Sequence, residues 1–143
     1  LVEELAEVYH VKKEQVFVGV GSDDVLAMAF LTFFNSEKPI LFPDITYSFY
    51  DVWADLFRIP YEQLPLNEDF AIVPEDYMRE NGGIIFPNPN APTGVEMPFE
   101  EVEKIMENGF GGIVINPFGP QPFFMPEQLC KTILQMNQSE DDK

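Results

Sequence analysis

The chain has 143 residues, about one domain, and 45% of them are hydrophobic, enough for a packed core at this length. Eight Lys and Arg stand against 25 Asp and Glu, a formal net charge of −17. That charge argues against nucleic-acid and anionic-membrane binding, because Lys12-Lys13 is only a pair and no basic patch offsets it. One cysteine, Cys130, and one histidine, His10, exclude a disulfide framework and the usual Cys/His zinc sites, so no metal site is expected. A lone thiol fits a reducing, cytoplasmic setting. No apolar run is long enough to span a bilayer; the longest candidate, Val25 to Phe34, is broken by Thr32 and follows two aspartates. No secretory signal opens the sequence, which starts in mid-helix without a methionine, the pattern of a fragment or an edited sequence.

In chain order, Leu1 to Tyr9 reads as the end of an amphipathic helix, with Leu1, Leu5 and Val8 on one face. Gln15 to Val20 (QVFVGV) reads as a short strand. Ser22 is the expected N-cap of a helix to about Phe34, with Asp23 and Asp24 in its first turn. Pro39 to Phe42 predicts a strand, Tyr47 to Phe57 a helix, and Ile59 to Leu64 a strand with Pro60 at its start. A loop from Leu66 to Val73 allows a short strand at Phe70 to Ile72, and Pro74 to Glu80 predicts one or two helical turns. Gly83 to Phe86 predicts a buried strand. Pro98 to Asn108 predicts a helix with Phe99, Val102, Ile105 and Met106 inward. Gly112 to Ile115 is a further buried strand, and Asn116 to Phe124 is a Pro/Gly/Phe-rich loop. Pro126 to Met136 predicts a last helix and 137–143 a disordered tail.

Short apolar strands alternating with helices predict an α/β fold, a three-layer α/β/α sandwich around a mostly parallel sheet. Residues 1–136 are expected to form a single domain. In such sheets ligands bind where strands end and helices begin, which singles out three loops. Gly19 to Asp24 offers glycines and a helix N-terminus suited to a phosphate, against the charge of Asp23 and Asp24. Pro43 to Tyr50 places Tyr47 where it could stack on a flat ring. Phe86 to Gly94 is a turn stiffened by three prolines, from which Asn90 could donate to a ligand oxygen. Taken singly, a capped helix start, a core aromatic and plain turn chemistry explain these loops better than a ligand does.

Taken together, VFVGVGSDDVLAMAF, FPDITYSFYDVWA and IIFPNPNAPTG, in this order and spacing, resemble the histidinol-phosphate aminotransferases of the fold-type-I pyridoxal-phosphate (PLP) enzymes, over about residues 1–107. The resemblance implies PLP as cofactor and amino-group transfer between histidinol phosphate and a 2-oxo acid. It also implies a homodimer whose active site draws on both subunits. Gly21, Ser22 and Asp23 would meet the cofactor phosphate, Tyr47 would lie against the pyridine ring, and Asn90 would reach the ring hydroxyl. Many relatives carry asparagine directly before Pro-Thr-Gly, where this chain has Ala91.

The pattern then departs from the family. Asn116 stands where the family has the aspartate that keeps the pyridine nitrogen protonated. The Schiff-base lysine has no counterpart: Lys131 lies in a predicted helix and Lys143 is terminal. Arg58 and Arg79 are the only arginines. Residues 109–143, through GGIVINPFG, resemble the SseB-like (enhanced serine sensitivity) family, so a chimera joined near residue 108 is expected, with 109–136 supplying a strand and helix of different origin. No catalytic residue is therefore assigned. The expectation is a transaminase fragment or chimera, inactive alone, that retains weak PLP or phosphate binding. The alternative is a non-enzymatic, recombined α/β module that self-associates without a ligand. Glu100, Glu101 and Glu103 read as a solvated helix face, His10 as a surface histidine and Cys130 as a structural thiol.

Overall fold

The computed structural model describes residues 1–108 and 112–115. Four strands, β1 (Ile40–Pro43), β2 (Tyr61–Leu64), β3 (Gly83–Pro87) and β4 (Gly112–Ile115), form one sheet in the order β2-β1-β3-β4, and every pair is parallel. Helices α1 (Val2–Val8), α2 (Ser22–Phe33), α3 (Tyr50–Phe57) and α4 (Phe99–Asn108) accompany it, with single 3-10 turns at Lys13–Gln15 and Pro74–Tyr77.

The continuous apolar runs of β1 and β3 are buried throughout, because side chains alternating along each strand meet a different cover on each face. Ile40, Phe42 and Ile85 point to one face and pack with Leu26 and Phe30 of α2, Phe34, and Tyr50 and Ala54 of α3. Leu41, Leu64, Ile84 and Phe86 point to the other and pack with Tyr77, Met97, and Val102 and Ile105 of α4. The architecture is thus the expected α/β/α arrangement, with all described strand pairs parallel.

Several local expectations are corrected. Residues 16–20 are not a strand: the chain makes a 3-10 turn at Lys13–Gln15 and then runs on irregularly. Alternation favours a strand only where a neighbour supplies the ladder, and this segment has none among the described residues. Its Phe17 and Val20 are 64% and 96% exposed. Helix α1 buries only Ala6, leaving Leu1 and Val8 exposed. Helix α3 begins at Tyr50 rather than Tyr47, and β2 at Tyr61, after Arg58 ends α3 in a left-handed conformation. No strand forms at 70–72; the Asn67 side chain instead accepts from the backbone N–H groups of Asp69 and Ala71 and closes a turn. Phe99, expected inward, is exposed at the first position of α4, and Met97 fills the core there. The predicted helix at 126–136, the tail and the loop from Asn116 lie outside the described residues.

The amino ends of β1 and β3 are stitched together. Gly82 N–H donates to the Pro39 carbonyl at 2.7 Å, and Lys38 pairs with Glu80 at 2.8 Å. That exposed pair contributes little to stability; the tight backbone approach matters more. A Cβ on Gly82 would lie 2.2 Å from the Lys38 carbonyl oxygen. Gly82→Ala is therefore expected to destabilise the domain by about 1–3 kcal/mol through forced backbone displacement, read as a lower midpoint in urea unfolding. An unchanged midpoint would mean that the strand ends separate without cost.

Candidate functional site

The order β2-β1-β3-β4 reverses direction between β1 and β3: the chain moves outward from β1 to β2, then crosses to the other side for β3 and β4. At such a switch point the loops leaving the carboxyl ends of the two central strands diverge and leave a crevice. The segments 44–49 and 88–98 leave β1 and β3 there. All three loops singled out from the sequence meet at this end of the sheet.

The first is the start of α2. Ser22 does not cap it as expected. The helix begins at Ser22 itself, the cap position is Gly21, and no side chain closes it. Gly21 sits at φ +105, a conformation open to glycine, and a Cβ there would meet nothing within 4 Å. The first backbone bond of the helix is Val25 N–H to the Gly21 carbonyl at 3.3 Å, so the amides of Ser22, Asp23 and Asp24 precede it and take no helical acceptor. Asp24 turns its carboxylate back to accept from Val20 N–H at 3.2 Å.

The second is the loop after β1. Tyr50 is fully buried against Phe30 and Phe42, and burial pushes its hydroxyl well above the ordinary tyrosine range. Tyr47 rests edge-on against Tyr50 with ring centroids 5.6 Å apart, and stacks on Phe49 at 6.0 Å. The Tyr47 hydroxyl donates to the Asp23 carboxylate, joining this loop to the start of α2. That hydrogen bond, then partial burial, then the Asp23 charge raise the Tyr47 pKa. Asp44 fastens the same loop to β2: its backbone N–H donates to the Leu64 carbonyl at 2.8 Å, and its carboxylate accepts from Leu66 N–H at 3.2 Å.

The third loop, 88–98, is closed by its two asparagines. The Asn88 amide donates to the Met97 carbonyl at 3.0 Å, and its oxygen accepts from Met97 N–H at 2.8 Å, as a neighbouring strand would. Asn90 is 2% exposed. Its amide nitrogen donates to the Ile45 carbonyl at 2.9 Å and to Thr93 Oγ1 at 3.2 Å, and its oxygen accepts from Thr46 Oγ1 at 2.9 Å. Both N–H bonds of the side chain are therefore used inside the protein. Thr46 and Asn88 were not singled out as site residues from the sequence. A hydroxyl or amide in a proline-framed turn is the available signal for them, but it does not name the partner.

Gly21, Ser22, Asp23, Tyr47 and Asn90 thus belong to one connected region, through Asp23–Tyr47 and Thr46–Asn90. None of its three loops contains a lysine. Lys38 lies at the opposite end of β1, and Lys104 is hydrogen-bonded to Glu101 on α4. Asn116, Cys130, Lys131 and Lys143 lie outside the described residues. Among the described residues no group of His, Cys, Asp and Glu is arranged to hold a metal, and no helix is long and apolar enough to cross a membrane. A shallow apolar depression between Ala71–Pro74 and Val95–Pro98 is lined by neither Tyr47 nor Asn90.

A parallel α/β sheet with its glycine-led helix start and proline-framed loop at one switch point defines the class, and the chain belongs to the class I and II aminotransferases, whose family model matches residues 1–113. Within that class it is similar to the histidinol-phosphate aminotransferase of Lactococcus lactis subsp. cremoris (strain MG1363): 51% identical over 111 residues, covering 78% of this chain and 31% of the relative. The fold is similar to aminotransferase AspB from Helicobacter pylori 26695 (TM-score 0.56, 21% identity, 93% of this chain and 39% of that one). It is also similar to a decarboxylase from Sulfurospirillum multivorans (TM-score 0.62, 22% identity, 75% and 31%). The chain spans about a third of the length of the curated relatives it matches. Most of residues 109–143, expected from the sequence to resemble the SseB-like family, lies outside the described residues.

The Asp23–Tyr47 contact has a measurable sign. A tyrosine held neutral by a carboxylate in the folded state adds stability that is present below its unfolded pKa and lost as pH rises through the folded value. Asp23→Asn is expected to move the Tyr47 titration down toward the ordinary value, read from 13Cζ-tyrosine NMR with Tyr47→Phe for assignment. A Tyr47 midpoint already at the ordinary value in the unaltered chain would contradict the contact.

Proposed function

We propose that these 143 residues form the phosphate-holding part of a PLP-dependent aminotransferase of the histidinol-phosphate type, and do not transaminate by themselves. The observation that carries this reading is the uncapped start of α2, with Gly21 at φ +105 and the amides of Ser22, Asp23 and Asp24 ahead of the first helical bond. An anion at a helix N-terminus gains those N–H donors and roughly half a positive charge of helix dipole. The two aspartates oppose it, but Asp23 is engaged by Tyr47 and Asp24 by Val20 N–H. The residues present therefore fit the phosphate end of the cofactor.

They fit the reactive end less well. PLP, when bound, supplies the electron sink for amino-group transfer. Gly21 leaves room for the phosphate to approach, and Ser22 and Asp23 offer backbone amides. Tyr47 offers a ring braced by the core through Tyr50. Asn90 would have to release a protein acceptor before donating to a ring oxygen. No lysine lies on the three loops to hold the cofactor covalently, which supports binding without turnover. Similarity to the Lactococcus protein supports histidinol phosphate as the parent substrate, and the lone cysteine supports a cytoplasmic setting.

A second reading, a self-associating α/β module without a ligand, is favoured by one observation: Phe17, Val20 and Leu56 are more than 60% exposed. Titration of the purified chain with PLP, followed by absorbance and fluorescence, separates the two. Saturable binding, lost in Ser22→Asp where a new carboxylate sits at the anion site, with no transamination of histidinol phosphate, is the expected result. Indifference of both proteins to PLP, with a dimer mass in sedimentation, would replace the first reading by the second.

A further inference from the structure

We infer that Asn90 and Thr46 are positioning residues: a buried amide–hydroxyl clamp that sets the direction of Tyr47 toward the start of α2. Asn90 lies on the loop after β3, yet its side chain holds the two residues directly before Tyr47, the carbonyl of Ile45 at 2.9 Å and the hydroxyl of Thr46 at 2.9 Å. Those partners are 45 and 44 positions away in sequence, so the clamp spans the switch point between the two central strands. Its own backbone is pinned by Asn90 N–H to the Val95 carbonyl at 2.9 Å and Gly94 N–H to the Asn90 carbonyl at 2.7 Å.

The direction of Tyr47 needs two constraints. One is the packing of its ring edge against Tyr50 at 5.6 Å, which limits translation toward the core. That contact and the stack on Phe49 at 6.0 Å hold the ring against its own loop and the start of α3 without fixing the backbone of residues 45 and 46. The other is the backbone of residues 45 and 46, and Asn90 holds it from within the protein. With both in place the Tyr47 hydroxyl reaches Asp23 on α2. A buried amide whose donors and acceptor are all satisfied costs more to break than one exposed to water, so this clamp is the stiffer constraint. The inference deepens the proposed reading by naming what aligns the stacking ring with the phosphate-binding helix start. It rests on that reading for its purpose alone, because its test is made in the ligand-free chain.

The test is the Tyr47 titration, followed by 13Cζ-tyrosine NMR in Asn90→Ala, Thr46→Val and Thr46→Ser, with Tyr77 in the opposite core as internal reference. The expected result is a downward shift of the Tyr47 midpoint toward the ordinary tyrosine value in Thr46→Val, and in Asn90→Ala where it folds. Thr46→Ser, which keeps the hydroxyl, is expected to leave Tyr47 in place, and Tyr77 is expected to stay raised throughout. A merely structural role would lower the unfolding temperature without moving Tyr47. If Thr46→Val is folded and its Tyr47 midpoint is unchanged, the inference is overturned whatever becomes of Asn90→Ala.

Discussion

A buried amide has to be satisfied, and in this chain one amide satisfies itself across the centre of the sheet. An unpaired side chain of this kind costs on the order of 1–3 kcal/mol. Asn90, nearly excluded from solvent, meets that demand with partners from its own loop and from the loop after β1. The consequence is architectural. Two loops that would otherwise diverge at the switch point are held as one surface, and Tyr47 is carried on it. Proline rings at 87, 89 and 92 limit the ways the third loop can relax, so the same constraint is reinforced by the covalent chain.

Electrostatics set the second condition. A chain with a net charge of −17 is a poor host for a phosphate unless local donors prevail. At the start of α2 they are concentrated: backbone amides ahead of the first helical bond, a glycine that admits close approach, and two aspartates each already holding a donor. The acidic balance lies elsewhere, on exposed faces such as the outer side of α4 with Glu100 and Glu103. The chemistry of amino transfer asks for more than an anion site, and the three loops supply no amine for covalent capture.

Much of the fold was legible because it rests on local signals. The runs PILF and GIIF read as strands and are strands, and the sheet order places both at its centre, buried on both faces. The segment QVFVGV carries an equally good alternating pattern and is not a strand, because a ladder needs a neighbour and periodicity carries no information about one. Ser22 has the chemistry of a cap, but Gly21 takes that position by virtue of its positive φ, and Phe99 follows the helical period yet falls at the open end of α4. Gly21, Ser22, Asp23, Tyr47 and Asn90 were named through the family resemblance, and their three loops lie at one end of the sheet. What Asn90 holds was not legible, since its partners Ile45 and Thr46 lie more than forty positions away and only the sheet order brings them near.

The most direct measurement of the central constraint is native-state hydrogen exchange at the amides of Asn90 and Gly94, compared with those of Ile84 and Ile85 in β3. The clamp predicts that the loop amides exchange together, with protection approaching that of the strand, because the Asn90 side chain ties this loop to the one after β1 and resists its local opening. Exchange of Asn90 and Gly94 at rates typical of a free loop, while Ile84 and Ile85 stay protected, would contradict it and leave the loops as independent elements on a shared sheet.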